Sequence, residues 1–188
     1  MKLIKNILRK FGIAFHRAFV CRKDLLGEIP HIEPAIAVII SQATPADLSS
    51  IQKKLFSDPV HAGYFEKYLK SNSICLVAKH NGEIIGYVWN SNRNMRFASH
   101  IIRELKPGYM LSFAGYVFKE YRGQKVFEAL IEAQYRMARD QGYRYFINFV
   151  TVGNVPAIKA REKFGVSVKR INLILLPCGR SLVFGKLE

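Results

Sequence analysis

Residues 110–133 read M-L-S-F-A-G-Y-V-F-K-E-Y-R-G-Q-K-V-F-E-A-L-I-E-A, and the fold is decided by how this stretch divides. Aromatic and branched residues without proline extend back to Tyr109 and predict a strand over 109–118. Tyr121 to Gly123 reads as a turn. From Lys125 onward the period becomes helical, with Leu130, Ile131, Tyr135 and Ala138 on one face of a helix over 125–141. A short loop running from strand into helix presents unpaired backbone N–H groups and the positive end of the helix dipole. Such a loop holds a phosphate without any particular side chain, and Arg122 and Lys125 add formal charge beside it.

Outward from this stretch, elements alternate. On the C-terminal side, Tyr143 to Val152 predicts a strand and Pro156 to Phe164 a short helix ended by Gly165; 167–176 and 180–187 predict a closing pair of strands. On the N-terminal side, strands over 74–79 and 83–90 flank Asn81-Gly82, a strong hairpin signal. Thr44, Pro45 and Asp47 form a helix start, with Thr44 as N-cap and Asp47 completing a variant of the capping box. Ile36 to Ser41 predicts a short strand before it. Residues 56–72 and 91–108 match no interpretable pattern.

Composition sets the class. At 188 residues, with 49% hydrophobic and 23% charged, the chain suits one globular domain rather than a disordered polymer. Cys21, Cys75 and Cys178 are too few and too scattered for a disulfide framework or a zinc site, so no metal is expected. No apolar run is long enough to cross a bilayer as a helix. Charge is the anomaly: 29 Lys and Arg against 14 Asp and Glu give a net +15, which favours an anionic partner.

Seven of those basic residues (Lys2, Lys5, Arg9, Lys10, Arg17, Arg22 and Lys23) precede the first acid, Asp24. Apolar residues from Leu3 to Phe19 recur at helical spacing among them, so residues 1–23 predict a basic amphipathic helix. That helix packs on its own domain, on a second copy in a homodimer, or on an anionic membrane as a peripheral contact. The two prolines of 24–35 predict a linker, which leaves 36–188 as the main domain. Free cysteines and no cleavable signal point to the cytoplasm, with the inner membrane face as the site of any peripheral contact. Nucleic acid is disfavoured, because aromatic and basic residues do not interleave in a strand-binding pattern.

Four segments then stand in one order: T-P-A-D-L at 44–48, L-V-A-K-H-N-G-E-I-I-G-Y-V-W at 76–89, G-Y-V-F-K-E-Y-R-G-Q-K-V-F-E-A-L-I-E-A at 115–133, and V-T-V-G-N-V-P-A-I-K-A-R-E-K-F-G-V at 150–166. Together they resemble the GNAT superfamily of acyl-CoA-dependent N-acyltransferases. The resemblance implies an α/β (α+β) fold: a mixed, mostly antiparallel central sheet flanked by helices, with a splay between the strands at 109–118 and 143–152, the fourth and fifth of the domain. It implies acetyl-CoA as acyl donor. Gly115, Tyr116 and Val117 would pair with the pantetheine amides, and the backbone of Gly123, Gln124, Lys125, Val126, Phe127 and Glu128, beside Arg122, would cradle the pyrophosphate. Asn154 and Ala157 would line the pantetheine wall.

Three positions depart from the family pattern. The usual small residues of the loop are Lys125 and Phe127 here, and Arg161 stands where many members place a tyrosine that protonates the departing thiolate. Arginine does not release a proton near neutral pH, so Arg161 is left with thiolate stabilisation or phosphate binding. The catalytic residues stay open. The weak candidates for the base are Tyr116, Tyr109, His61 and His100, with the Val117 N–H as oxyanion donor; base-free catalysis by proximity is an equal alternative. The expected reaction is acetyl transfer to a primary amine of a small-molecule or cell-envelope acceptor. An acidic acyl carrier protein as donor, or a non-catalytic module that binds membrane or another anion, are the competing readings.

Overall fold

A computed structural model describes residues 10–55, 65, 68, 73–97, 100–177 and 179–187. The strands are β1 (Ala14–Asp24), β2 (Ile39–Gln42), β3 (Ile74–His80), β4 (Glu83–Ser91), β5 (Asn94–Phe97), β6 (His100–Glu104), β7 (Tyr109–Val117), β8 (Tyr145–Thr151), β9 (Ser167–Leu175) and β10 (Ser181–Phe184). The helices among the described residues are α1 (Pro45–Leu55), α2 (Val126–Asp140) and α3 (Val155–Glu162), with a 3-10 turn at Lys119–Tyr121. One large sheet runs β10-β9-β1-β8-β7-β4-β3-β2, and β5 and β6 form a separate ribbon.

Local signals placed several elements where they stand. Thr44 N–H donates to Asp47 Oδ2 at 3.0 Å and Asp47 N–H to Thr44 Oγ1 at 3.2 Å, a reciprocal cap on α1. Asn81 and Gly82 both take positive φ, 49° and 81°, as the tight turn between β3 and β4 requires. The apolar stripe of α2, including Leu130, Ile131, Tyr135 and Ala138, is buried. It packs with Phe146 and Phe164 on one face of the sheet, while Ile51, Leu55, Phe65, Tyr87 and Trp89 form a core on the other.

The N-terminal helix expected over 1–23 is not what residues 14–24 form. They are β1, hydrogen-bonded between β8 and β9, with Ala18 opposite Thr151 on one side and Ile171 on the other. Phe15, Phe19, Val20 and Cys21 favour strand over helix, and two partner strands more than 120 residues away supply a ladder that local periodicity cannot reveal. Lys23 is buried rather than on a solvated basic face: its ammonium donates to Glu28 O at 2.6 Å and to Phe164 O, just past α3, at 2.7 Å. Residues 1–9 of the expected helix lie outside the described residues.

Nor is 24–35 a free linker. Leu25 and Ile29 are buried in the α2 core, the Ile32 N–H donates to Glu132 Oε2 at 2.6 Å, and the Ala35 N–H donates to Gln124 O at 3.1 Å. This strap crosses α2, so β1 and residues 24–35 belong to the same domain as the rest. No helix among the described residues is long and apolar enough to cross a membrane.

One departure from antiparallel pairing positions the site. β7 and β8 are parallel and pair from Tyr109↔Tyr145 to Ser112↔Asn148. Beyond that, β7 continues to Val117 and β8 to Thr151 without pairing to each other. The expected splay is therefore present, and it leaves strand-edge N–H and C=O groups open.

Candidate functional site

Three adjoining cavities surround the splay. The largest, of about 540 Å³, lies between the end of β7 and the start of α2. It is lined by Gly115, Tyr116 and Val117 from β7, by Arg122, Gly123, Lys125, Val126, Phe127 and Glu128 from the loop and α2, and by Asn154 and Ala157. Sequence reading named all of these. It missed Tyr121, Pro156 and Ala160, which complete the wall. Gln124 is not in the lining; its carbonyl accepts from the strap at Ala35, and its side-chain amide donates to Glu120 O at 3.4 Å.

The loop leaves backbone donors available. Lys125 is the N-cap of α2 and makes no side-chain cap bond, so the first N–H groups of the helix have no side-chain acceptor there. Lys125 itself sits in the left-handed region at φ 59°, a conformation that costs a non-glycine residue about 1 kcal/mol or more. Gly123 has φ 79° and nothing within 4 Å of where a Cβ would stand, so this stretch of backbone can be closely approached. Arg122 is tied back, with Nε donating to Val117 O at 2.9 Å and its guanidinium 5.3 Å from the Tyr116 ring centroid. Lys163 neutralises Glu128 at 2.9 Å.

β7 changes character within the site. Trp89 of β4 pairs with Phe113 and Tyr87 with Tyr116, so two residues, Ala114 and Gly115, face the single Val88. This is a β-bulge, and Ala114 accommodates it with φ 47°. Beyond the bulge the Phe118 N–H donates to Ile85 O at 3.0 Å. Alternation along an antiparallel ladder then turns the Val117 N–H away from β4, toward the side that β8 has left.

A second cavity, of about 240 Å³, opens between the splayed strands and shares Gly115, Phe127, Asn154 and Ala157 with the first. Phe127 fills the boundary: a Cβ on Gly115 would come within 2.9 Å of its ring, and the Arg161 guanidinium lies 5.1 Å from its centroid. Arg161 lines this second cavity rather than the first. It is 7% exposed and its Nη1 donates to Ala157 O at 2.9 Å, with no carboxylate bonded to it among the described residues. Burial holds its pKa below the ordinary arginine value, though a guanidinium keeps its charge at neutral pH. Burial likewise pushes up the nearby Cys21 thiol and Tyr135 phenol, so neither supplies the missing anion.

The third cavity, of about 260 Å³, is aromatic. Phe65, Tyr68, Tyr87, Trp89, Phe97, Phe113, Tyr116 and Phe149 line it together with Arg96. It meets the first cavity at Gly115 and Tyr116. None of its wall except Gly115 and Tyr116 was named as a site residue from sequence, although the alternation of Tyr87 and Trp89 along β4 was a signal that two large rings share a face.

The candidate bases are dispersed. Tyr116 borders both the first and third cavities. Tyr109 lies at the opposite end of β7, roughly 27 Å along the strand from Val117. It is buried with its ring 4.8 Å from that of Tyr145, and it lines none of the three cavities. His61 lies outside the described residues. His100 reaches Leu176 O at 3.0 Å, also away from these cavities. Glu83 is held at the hairpin by Lys54 at 2.7 Å and by the Tyr121 hydroxyl at 3.1 Å, and these bonds keep its carboxyl below the usual range. No cluster of metal ligands occurs among the described residues.

Known proteins share this architecture. A search of curated protein sequences finds no relative. Among solved structures, a GCN5-related N-acetyltransferase from Sphaerobacter thermophilus superposes with TM-score 0.61 at 15% identity, covering 93% of this chain and 55% of that one. A GNAT family N-acetyltransferase from Escherichia coli in complex with CoA gives TM-score 0.53 at 23% identity, covering 72% of each. A GNAT family acetyltransferase from Brucella melitensis in complex with acetyl-CoA gives 0.51 at 16%, covering 65% of this chain and 81% of that one. The chain thus spans about half the length of the Sphaerobacter protein. These likenesses are of fold, and they carry the same mixed sheet flanked by helices. The family model for Acetyltransferase (GNAT) matches residues 42–166, two thirds of the chain and the whole of the splay, its loop and α3, and the chain belongs to that family.

Proposed function

We propose that this chain is an N-acetyltransferase that transfers an acetyl group from acetyl-CoA to a primary amine of a small-molecule or cell-envelope acceptor. The observation that carries the reading is the cavity between the splayed end of β7 and the uncapped start of α2. Its residues fit a long phosphorylated thioester. Gly123 leaves room for phosphate against backbone, the first turn of α2 offers N–H donors, and Arg122 and Lys125 add positive charge to the wall. The β7 edge from Gly115 to Val117 suits an arm that pairs like an added strand.

Acetyl-CoA supplies the activated acetyl group: the amine nitrogen forms the new C–N bond, the C–S bond breaks with its electron pair on sulfur, and the proton lost by the amine ends on the thiol. The chain's residues have three tasks in that exchange. The Val117 N–H, turned away from β4, donates to the carbonyl oxygen as it gains charge. Arg161, held against Phe127, stabilises the departing thiolate without giving up a proton. Proton removal from the amine falls to Tyr116 or to water, since Glu128 is the one carboxylate among the described lining residues and Lys163 engages it.

The test is release of CoA thiol from acetyl-CoA in the presence of a panel of primary amines. The reading expects amine-dependent thiol release with one acetyl group added per thiol. Binding of acetyl-CoA with no thiol release for any amine would favour a non-catalytic module, and acyl transfer from a carrier protein alone would move the donor to that partner.

A further inference from the structure

The aromatic cavity has features that the acetyltransferase reading alone does not require. Its rings pack on one another: those of Phe65 and Trp89 meet edge to face at 5.3 Å, and those of Tyr68 and Phe113 at 4.8 Å. Two of its wall residues carry a fully buried donor with no acceptor among the described residues. Trp89, 1% exposed, leaves its indole Nε1–H unpaired, and Arg96 leaves its buried Nε–H unpaired. A buried donor without a partner is costly and calls for explanation. The Arg96 guanidinium is held over the Phe113 ring at 5.3 Å, with no carboxylate partner among the described residues. None of the described residues lining this cavity is acidic. Arg161 adds a second positive charge in the adjoining inter-strand cavity.

From these observations we infer that the aromatic cavity is the acceptor site, and that its acceptor is a compact primary amine with an apolar or aromatic body and one carboxylate: an amino-acid-like molecule, not a polycation. This rests on the acetyltransferase reading. A carboxylate pairs with the terminal nitrogens of the Arg96 guanidinium. The rings enclose the apolar body. The absence of acidic residues among its described lining gives a polycation no counter-charge. Position follows too: the cavity touches Gly115 and Tyr116 from the side opposite the loop, which brings the amine to the bulge where the thioester arm would end. With Arg96 paired to the carboxylate, the Arg161 guanidinium in the adjoining cavity still favours the neutral amine, the form that attacks.

Trp89 is the single tryptophan of the chain, so its emission reports occupancy directly. The full chain is titrated with phenylalanine, tryptophan-free leucine, their decarboxylated counterparts 2-phenylethylamine and isoamylamine, and the polycation spermine. The inference expects a saturable change with the amino acids, roughly tenfold weaker binding without the carboxylate, and no saturable change with spermine. Arg96→Gln should remove the tenfold preference by weakening the amino acids far more than 2-phenylethylamine, and Arg96→Lys should restore part of it. Equal binding with and without the carboxylate, tighter binding of spermine, or an Arg96→Gln effect that is the same for both amine classes would overturn it. Acetyl-CoA-induced thermal stabilisation, measured alongside, separates the two failures: with that stabilisation intact and no amino acid bound, this inference alone falls, whereas its absence removes the acetyltransferase reading itself.

Discussion

The two sides of β7 differ in what they are made of. On the α2 side, the proposed donor site is built from backbone: open N–H groups at a helix start, a glycine with nothing near its missing Cβ, and a strand edge freed by the splay. On the other side the proposed acceptor site is built from side chains, with Tyr87, Trp89 and Phe113 at once the wall of a cavity and part of the packed core. The first can be written in one contiguous stretch of sequence, because a loop and the helix after it are neighbours in the chain. The second gathers Phe65, Trp89, Arg96, Phe113 and Phe149 from separate elements, and no spacing rule connects them.

That contrast sets the order of expected effects. Trp89→Ala should be the most damaging to stability, at about 3–5 kcal/mol or a melting point lower by roughly 10 °C. Arg122→Ala, on the exposed loop, should leave the melting point of the free protein within about 2 °C. Thermal unfolding followed by circular dichroism compares them, and similar losses would break the distinction. Arg161→Met removes a buried charge and keeps an apolar stem. It should leave the fold as stable or more so, yet lower kcat by roughly 100-fold with little change in KM. Loss of stability without loss of kcat would reassign Arg161 to the core.

Smaller effects sharpen the account of the loop. Lys125→Gly relieves the left-handed strain at the α2 N-cap but adds chain entropy, so the free protein should gain up to about 1 kcal/mol. It should also bind acetyl-CoA more weakly in a salt-dependent way, because one cation is lost. Far from either cavity, Asp47 is held below the usual carboxylate range by its bond to Lys79 and by the Thr44 cap. A depressed folded pKa means that this contribution is present above the unfolded value of about 3.9 and is lost as pH falls through the folded one. Asp47→Asn should flatten the acid limb of the melting curve and, near neutral pH, cost about 1 kcal/mol.

Sequence legibility followed the same division. The α1 cap, the Asn81-Gly82 turn and the β7-loop-α2 unit were readable, because each depends on residues a few positions apart. β1 was not. Phe15, Phe19 and Val20 satisfy a helical period on paper, and only their partners in β8 and β9 make them a strand. The 24–35 strap was hidden for a like reason, since its anchors Glu132 and Gln124 lie about 100 residues on. In the site, the left-handed Lys125, the bulge at Ala114 and the displacement of Arg161 behind Phe127 are consequences of packing. The residue types announced a departure at 125, 127 and 161 without showing its geometry.

The most direct test of the central claim is thermal melting with and without saturating acetyl-CoA, on the native chain and on Gly115→Val. A ligand bound only to the folded state at 100 times its Kd contributes about 2.7 kcal/mol, or roughly 5–10 °C for a chain of this size. A Cβ at 115 meets the Phe127 ring at 2.9 Å, so larger side chains there close the passage between β7 and α2. The account predicts a shift of that order in the native chain and its loss in Gly115→Val. A full shift retained by Gly115→Val would contradict it, because the donor would then lie somewhere other than against the splayed end of β7.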